Sequence, residues 1–198
     1  MRLHYNKFSR ATRVRWLLEE LGATYDINEV AFGADGTRSQ AHLAVHPLGK
    51  LPALTDDDGT HLFESSALVL HLADRYPGLA PAPGSSARGR YYQWVVYGVS
   101  ELEGPVAEFF LAGRVPDEQK DTARLAKAQA EFDKVAAPVE AVLARHDWIL
   151  GAEFSAADCV VGGVLTWADR MGMCERFPAI HAYAGRCVAR PAFKRGRQ

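Results

Sequence analysis

The sequence predicts an α/β domain followed by an all-helical domain. Residues 2–78 alternate between strand-like and helix-like segments, whereas the residues after 89 have helical spacing. Between these regions, residues 79–89 are rich in Pro, Ala, Gly and Ser, which is typical of a linker. We therefore assign residues 1–78 to the first domain, 79–89 to the linker and 90–198 to the second domain.

The first domain opens with a strand, a helix and a second strand. Arg2–Tyr5 is consistent with a strand, and residues 11–21 have helical spacing that ends at Gly22, a residue typical of helix ends. The apolar residues of this helix share one face: Val14, Leu17, Leu18 and Leu21. Residues 24–32 favour a strand. A strand–helix–strand unit of this kind forms a parallel pair through a right-handed crossover.

The rest of the first domain predicts an antiparallel edge to the sheet. Residues 33–47 are polar and irregular, and residues 46–54 contain two prolines and a glycine, which indicate a shaped loop. A strand follows, then the turn Asp56-Asp57-Asp58-Gly59 and a strand through residues 61–63, a pattern typical of a hairpin. A helix over residues 65–76 then stops at Pro77-Gly78.

The second domain is expected to be entirely helical. Helical spacing covers residues 90–110 and 118–145, and a buried helix begins after Ser155-Ala156-Ala157-Asp158. This segment is a capping box in which Asp158 takes the place of the usual Glu or Gln. We expect Ser155 and Asp158 to be structural, each contributing about 1 kcal/mol to the first turn of that helix.

Charge and hydropathy exclude several classes of protein. Lys and Arg together number 23 and Asp and Glu number 24, so there is no net field to attract nucleic acid. No apolar run approaches the roughly 18 residues of a membrane span, and the amino terminus lacks a basic-then-apolar signal. We expect a cytoplasmic protein with neither a nucleic-acid nor a membrane partner.

The cysteines and histidines show neither a disulfide framework nor a metal-binding pattern. The cysteines lack CxxC spacing, and their odd number leaves one without an intramolecular partner, so we expect free thiols. They are Cys159, Cys174 and Cys187. His42 and His46 stand at helical spacing, but Pro47 disfavours a helix there. We therefore interpret them as surface or hinge histidines, not as metal ligands.

Three segments of the first domain resemble the cytosolic glutathione transferases. Phe8-Ser9-Arg10-Ala11-Thr12-Arg13-Val14 resembles the catalytic-serine segment of the phi and theta classes. His46-Pro47-Leu48-Gly49-Lys50-Leu51-Pro52 resembles the family's cis-proline loop, with His46 in place of the usual Asn. Phe63-Glu64-Ser65-Ser66 resembles the Glu-Ser pair that holds the γ-glutamyl end of glutathione.

The resemblance continues through the second domain. Phe154-Ser155-Ala156-Ala157-Asp158 is similar to the family's helix-capping motif, and Arg190-Pro191-Ala192-Phe193 to its closing segment. The similarity therefore runs from about residue 2 to residue 193. Arg10 stands where the beta class has a cysteine, so the class within the superfamily stays open.

The resemblance implies a thioredoxin-like first domain that binds glutathione and a helical bundle that forms the electrophile pocket. It also implies glutathione as co-substrate, no metal and a homodimer. Tyr97 is the one residue named for the electrophile pocket, although the aromatic residues around it also fit a helical core or a dimer surface.

A thiol with a pKa of about 8.5 must be stabilised as its thiolate to act as a nucleophile at pH 7. Ser9, just before the first helix, is the predicted hydroxyl donor to the sulfur. Its alternative role is that of an ordinary helix cap. Tyr5 is the rival donor and is otherwise a half-buried strand aromatic, and Thr12 is a third possibility.

The resemblance also assigns the other glutathione contacts. Pro52 is predicted to be cis, and the main chain of Leu51 to pair with the cysteinyl part of glutathione. Ser65 opens a helix whose free N–H groups suit the γ-glutamyl carboxylate, and Glu64 accepts from the ligand's amino group. The basic residues proposed for the glycyl carboxylate are Lys50 and Arg38.

These assignments predict an enzyme that conjugates glutathione to a small hydrophobic electrophile. Two alternatives remain. One is a glutathione-dependent peroxidase or reductase, which is disfavoured because residues 1–78 contain no cysteine. The other is a non-catalytic module that binds glutathione or another ligand on the same fold.

Overall fold

The computed structural model describes all residues from 1 to 198. The chain forms two compact units, one of Met1–Ala80 together with Ala189–Gln198, the other of Pro81–Val188. The predicted division assigned residues 189–198 to the second domain, whereas in the structure they group with the first unit. The physical reason is a set of contacts with the first helix, described below.

The first unit is built on a four-stranded mixed sheet. Its elements in chain order are β1 (Arg2–Tyr5), α1 (Ala11–Glu20), β2 (Asp26–Glu29), α2 (Gln40–Val45), β3 (Ala53–Thr55), β4 (His61–Phe63) and α3 (Ser65–Arg75). The strand order is β2-β1-β3-β4, with β1 and β2 parallel and the other pairs antiparallel. The predicted parallel pair and the antiparallel hairpin are both confirmed.

Helices cover both faces of this sheet. Helices α1 and α3 pack against each other, and α1 also packs on β1. On the other face, the rings of His4 from β1 and His42 from α2 lie 5.8 Å apart. Alternation along β1 explains the separation, because neighbouring residues of a strand face opposite sides of a sheet. Helix α1 ends at Glu20, just before the predicted stop at Gly22, which has φ +60° and whose N–H bonds the Glu19 carbonyl.

Helix α2 corrects the prediction that residues 33–47 are irregular. Ser39 caps the helix by accepting a hydrogen bond from the His42 N–H at 3.2 Å, which offsets the weak helix signal of so short a segment. The helix ends at Val45, before Pro47, as the proline requires. His42 and His46 are nevertheless buried, so their interpretation as surface or hinge histidines was wrong.

The second unit is helical, as predicted. Its elements are α4 (Ser86–Tyr97), a π-helical turn (Gly98–Leu102), α5 (Glu103–Gly113), a 3₁₀ turn (Asp117–Gln119), α6 (Thr122–Leu143), α7 (Ala156–Arg170) and α8 (Pro178–Ala189). Helix α4 starts inside the predicted linker because Ser85 caps it, accepting from the Arg88 N–H at 3.1 Å. No helix is both long and apolar enough to cross a membrane.

The helix predicted over residues 90–110 is interrupted by the π-helical turn. Pro105 near the start of α5 has no N–H to donate, so regular α-helical bonding cannot continue through it. Gly98 opens the turn at a close contact, since a Cβ there would lie 3.0 Å from the Val160 side chain. The interruption therefore combines a missing donor with close packing against α7.

The predicted capping box at the start of α7 is confirmed. The Asp158 carboxylate is fully buried and accepts from the Ser155 N–H and hydroxyl, both at 2.8 Å. It also accepts from the Ile149 N–H and the Tyr183 hydroxyl, both at 2.9 Å. Burial raises the pKa of Asp158, and these four donors oppose that rise. The carboxylate thus joins three segments of the second unit.

The carboxyl-terminal segment packs on α1 through α9 (Pro191–Arg195). The Phe193 ring meets the Trp16 ring edge-on at 4.9 Å, and Arg190 makes a two-bond ion pair with Glu20 at 2.5 and 2.8 Å. The Tyr5 hydroxyl donates to the Gly196 carbonyl at 3.1 Å. These contacts explain why residues 189–198 belong to the first unit.

Candidate functional site

Strand pairing brings three of the predicted segments to one end of the sheet. His4 on β1 is opposite Ala53 on β3, and Ala53 is opposite Phe63 on β4. Because both pairs are antiparallel, the carboxyl ends of β1 and β4 adjoin the amino end of β3. The loop after β1, the Leu51-Pro52 bond before β3 and the amino end of α3 after β4 therefore meet there. The candidate site lies at this end of the sheet.

Ser9 lies in the loop after β1 and is half-buried. Its hydroxyl donates to the Asn6 carbonyl at 2.7 Å, and its oxygen accepts from the Ala11 N–H at 3.2 Å. The Asn6 carbonyl also receives the Ser9 N–H at 3.0 Å, so it keeps a partner if the hydroxyl turns away. The donated Ala11 N–H polarises the hydroxyl and strengthens it as a donor. Ser9 thus makes the contact of an ordinary helix cap, and its hydroxyl proton can also turn towards a ligand.

The two rival hydroxyl donors are engaged elsewhere. The Tyr5 ring is buried, lies 4.8 Å below the Arg15 guanidinium and directs its hydroxyl to Gly196, on the α1 side of the sheet. Burial raises the pKa of Tyr5. The Thr12 hydroxyl donates to the Ser9 carbonyl at 3.1 Å, inside the first turn of α1. Tyr5 would have to give up its bond to Gly196 to meet a ligand. Thr12 could leave the Ser9 carbonyl, which also accepts the Thr12 N–H at 3.3 Å, but Thr12 is buried whereas Ser9 is half-buried.

The Leu51-Pro52 peptide bond is cis, which confirms that prediction. No turn or loop hydrogen bond uses the main chain of Leu51.

His46 explains why an asparagine is dispensable at the start of this loop. Its Nδ1 accepts from the Leu48 N–H at 3.2 Å, the bond to the second following residue that an Asn side chain makes in such turns.

The predicted basic residues flank the same loop. Lys50 is exposed, and its carbonyl accepts from the His42 ring Nε2 at 2.9 Å. Arg38 is also exposed and donates to the Leu48 carbonyl at 3.2 Å. Both cations therefore border the residues before Pro52, with Lys50 the closer of the two in sequence to Leu51.

The amino end of α3 has free hydrogen-bonding capacity. No side chain caps this helix, its first turn has no acidic residue, and Ser65 at its start is buried. Uncapped N–H groups and the helix dipole together favour an anion. Glu64 just before it has φ +71°, the one positive φ among the non-glycine residues, a conformation that costs about 1–3 kcal/mol. Such strain is concentrated at functional sites.

Tyr97 lies in the second unit on α4. Its hydroxyl donates to the Val135 carbonyl of α6 at 2.9 Å, and its ring meets Trp94 edge-on at 5.4 Å. Trp94 and Tyr91 belong to the core, so this stripe is largely structural. The assignment of Tyr97 to an electrophile pocket stays a prediction.

Sequence reasoning missed three features of the site: the structural role of Asn6, the strained backbone of Glu64 and the inward orientation of His42. Asn6 had a signal, since an asparagine two residues before a loop N–H favours the turn that it makes with Phe8 at 3.0 Å. The other two had none, because strain and burial depend on the packed sheet. No group of three or more acidic, His or Cys side chains is arranged to hold a metal ion.

Gly49 is expected to be intolerant of alanine. It has φ +57°, and a Cβ there would lie 2.4 Å from the Thr37 carbonyl oxygen, where the backbone leaves no room. We expect Gly49→Ala to destabilise the chain by roughly 2 kcal/mol or more. Gly59→Ala, at φ +87° with open space around it, is the control for the φ effect alone. If the two variants unfold at the same urea concentration, the contact with the Thr37 carbonyl does not add to the cost of Gly49→Ala.

Folding stability is expected to fall in acid because of His4. The ring accepts from the Asn28 amide at 3.0 Å and contacts the Thr55 hydroxyl at 2.9 Å. Burial first, and then His42, His61 and Arg2, lower the pKa of His4 to about 4. The unfolded chain, with a pKa of about 6.5, therefore takes up the proton first, and stability is lost as the pH falls from 6.5 to 4.

The size of that loss is at most about 3 kcal/mol for a shift of this extent. Asn28→Asp tests this loss of stability. A carboxylate beside Nδ1 favours the protonated ring of His4, so the variant should lose less stability between pH 7 and pH 4.5. Urea unfolding of both proteins at pH 7 and 4.5 is the measurement. Identical pH dependence in the two would show that His4 does not control the acid limb.

Known families match both halves of the chain. The model of the glutathione S-transferase N-terminal domain matches residues 8–75, and that of the C-terminal domain matches residues 122–186. Glutathione S-transferase GstA of Escherichia coli O157:H7 is 34% identical over 154 residues, covering 76% of this chain and 73% of the relative.

Solved structures give the same result. A sphingomonad glutathione S-transferase complexed with glutathione is 30% identical, with a TM-score of 0.85 over 100% of this chain and 97% of the other. The theta class glutathione S-transferase of Xanthomonas axonopodis pv. citri, with glutathione bound, is 28% identical, with a TM-score of 0.85 over 100% and 96%. With this fold, these sequence matches and the converging segments at the sheet end, the chain belongs to the glutathione S-transferase family.

Proposed function

We propose that this chain binds glutathione at the end of its sheet, activates the thiol through Ser9 and conjugates it to a small hydrophobic electrophile. The amino end of α3 carries the proposal: an uncapped helix start, with buried Ser65 preceded by the strained Glu64. Such an end favours an anionic partner, and glutathione offers its γ-glutamyl carboxylate.

The rest of the ligand follows the neighbouring segments. The Glu64 carboxylate accepts from the ligand's ammonium group, and the main chain of Leu51 pairs with the cysteinyl peptide as an added strand does. Lys50 and, further out, Arg38 attract the glycyl carboxylate. The glutathione complexes of the sphingomonad and Xanthomonas enzymes support this assignment, since both share the fold along essentially the whole chain.

Ser9 is our choice of thiolate donor over Tyr5 and over Thr12, because Thr12 is buried whereas Ser9 is half-buried. A hydrogen bond from Ser9 to the sulfur requires only that the hydroxyl leave an Asn6 carbonyl that retains another donor. Tyr5 would have to leave Gly196 from a buried position on the α1 side of the sheet. The amino end of α1 adds a positive dipole beside Ser9.

Transfer is favoured over thiol–disulfide chemistry. The first unit contains no cysteine, and all three cysteines of the second unit are buried with free thiols. A mixed disulfide with glutathione at the proposed site therefore has no protein sulfur to form it. A non-catalytic binding module has no such obstacle and is decided by the turnover measurement below.

The proposal includes a cytoplasmic homodimer. Tyr92 and Val96 stand one helical turn apart on α4 with 42% and 54% of their surfaces exposed, an apolar pair that a second copy would cover. Analytical ultracentrifugation at micromolar concentration tests the dimer. A monomer at that concentration would remove this part of the proposal and leave the chemistry untouched.

The decisive experiment joins binding to turnover. Titration calorimetry with glutathione at pH 7.5 should show binding, and a chloronitrobenzene acceptor should be conjugated with loss of chloride. Binding without conjugation of this or other electrophiles would leave a binding module in place of a transferase. Absence of binding at millimolar glutathione would refute the site itself.

A further inference from the structure

Three buried histidines lie in a row beneath the cis-proline loop: His4, His42 and His46. The His4 and His42 rings are 5.8 Å apart, and the His42 and His46 rings are 6.5 Å apart. No more than 7% of any of these residues is exposed. None of them has a place in the proposed chemistry. Two of them, however, bond the main chain of the residues just before Leu51.

His42 bonds the Lys50 carbonyl as a hydrogen-bond donor. A carbonyl only accepts, so the Nε2 at 2.9 Å carries the proton and donates. The other nitrogen, Nδ1, is buried without a hydrogen-bond partner. A second proton on the ring would be a buried donor with no acceptor, which is strongly disfavoured. His42 thus holds the Lys50 carbonyl as a donor, through the nitrogen that carries its proton.

His46 makes its bond to the loop only in the neutral form. Its Nδ1 accepts from the Leu48 N–H, so a proton there would set two donors against each other. Its ring also packs 4.7 Å from the Phe63 ring, at the strand that leads to Glu64. Burial lowers the pKa of His46, as do His42 and Lys50, whereas Glu64 opposes them.

Titratable and charged side chains on β1, on β4 and just after β4 act on the three histidines. His61 on β4 and Arg2 on β1 face His4 and disfavour its protonation, as does His42 itself. Glu64 is the one carboxylate that acts on His46. Protonation of one of these rings therefore disfavours protonation of the next ring, because two positive charges about 6 Å apart repel each other.

We propose that His42 and His46 are positioning residues that hold the main chain of residues 48–50 in its ligand-binding form, and that protonation of His46 makes glutathione binding sensitive to mild acid. This rests on the proposed function. Protonation of His46 at Nδ1 removes the acceptor of the Leu48 N–H, whereas the His42 Nε2–H keeps its bond to the Lys50 carbonyl whether or not that ring carries a second proton. Affinity is therefore full above about pH 6.5 and falls as the pH is lowered below it.

The test measures the dissociation constant of S-methylglutathione from pH 7.5 to 5.5 by calorimetry. The methylated thiol cannot ionise, and the carboxylates and ammonium group of the peptide titrate mainly outside this window, so the acid limb reports the protein. We expect affinity in the wild type to fall about twofold to fivefold over this range, less than the roughly tenfold of an ordinary imidazole, because the pKa of His46 is lowered. Circular dichroism at each pH checks that the chain stays folded.

Two variants separate the histidines. His46→Asn keeps an acceptor for the Leu48 N–H but does not titrate, so affinity at pH 7.5 should stay within about twofold and the acid limb should flatten. His42→Phe removes the bond to Lys50 and should weaken binding about tenfold at pH 7.5. The exposed His146→Gln is the control and should match the wild type.

A wild-type affinity that does not change with pH would overturn the proposal, as would an unchanged acid limb in His46→Asn. A ligand-free measurement keeps the two proposals separate: the hydrogen-exchange protection of the Leu48 amide should fall in acid in the wild type and hold in His46→Asn, once intrinsic rates are corrected. Should the wild type not bind S-methylglutathione at pH 7.5, the proposed function fails, and this exchange result alone decides whether the histidines hold the loop.

Discussion

Replacing Ser9 with alanine should raise the thiol pKa of bound glutathione by about one to two units and slow conjugation at pH 7 by about 10-fold to 100-fold. The size follows from a hydrogen bond to a charged sulfur, worth roughly 1.5–3 kcal/mol, with 1.36 kcal/mol per pKa unit. The rate loss follows because the thiolate is the nucleophile. Conjugation in the variant should therefore recover as the pH is raised.

The thiolate absorbance of bound glutathione, titrated with pH, is the measurement for Ser9→Ala. Tyr5→Phe removes the rival hydroxyl while keeping the ring under Arg15, and it should leave the thiol pKa unchanged. Ser100→Ala, at an exposed position of the second unit, is the general control. A raised pKa in Tyr5→Phe but not in Ser9→Ala would reverse the assignment, and no rise in either would remove both residues from catalysis.

Replacing Asp158 with alanine should destabilise the chain by about 3–5 kcal/mol. The carboxylate is fully buried and accepts four hydrogen bonds, so its removal leaves buried donors on Ser155, Ile149 and Tyr183 without partners. Each unsatisfied donor costs about 1–3 kcal/mol, offset in part by relaxation and by the desolvation of the carboxylate that is no longer required. Urea unfolding gives the free energy.

Asp169 supplies the matched control on the same helix. Its carboxylate pairs with the exposed His181 at 2.7 Å, and such surface pairs contribute at most about 1 kcal/mol. Asp169→Ala should therefore barely move the unfolding midpoint. The loss of stability in Asp158→Asn should lie between those of the two alanine variants. An amide keeps one oxygen as an acceptor, but its NH₂ group would face other hydrogen-bond donors. Similar losses for the alanine variants of both aspartates would show that the buried network is not what stabilises this helix.

Local sequence signals determined most of the elements of the first unit and the positions of its loops. Gly22 ended α1, the Asp56–Gly59 turn placed the hairpin, and Pro77-Gly78 stopped α3, each through a conformation that few other residues adopt. The Ser155 capping box marked the start of α7 for the same reason: its hydrogen bonds lie within a few residues. Resemblance, not local physics, predicted the cis bond before Pro52.

Tertiary structure decided what depends on distant residues. Tyr5 looked suited to donate to a ligand until its hydroxyl was found bonded to Gly196, 191 residues along the chain. The carboxyl-terminal segment joined the first unit through pairs such as Arg190 with Glu20, which no local pattern encodes. His42 and His46 were interpreted as surface or hinge histidines, yet packing buries both of them.

The candidate site divides in the same way. Its residue types follow from the sequence, because a serine before a helix and a helix start after a strand are recognisable as local features. Their convergence does not, since it requires β1, β3 and β4 to pair in one register. Nor does the backbone of Glu64, held at a positive φ between β4 and α3 by the structure around it. Sequence determined which groups this protein has available, and long-range packing determined which of them meet at the candidate site.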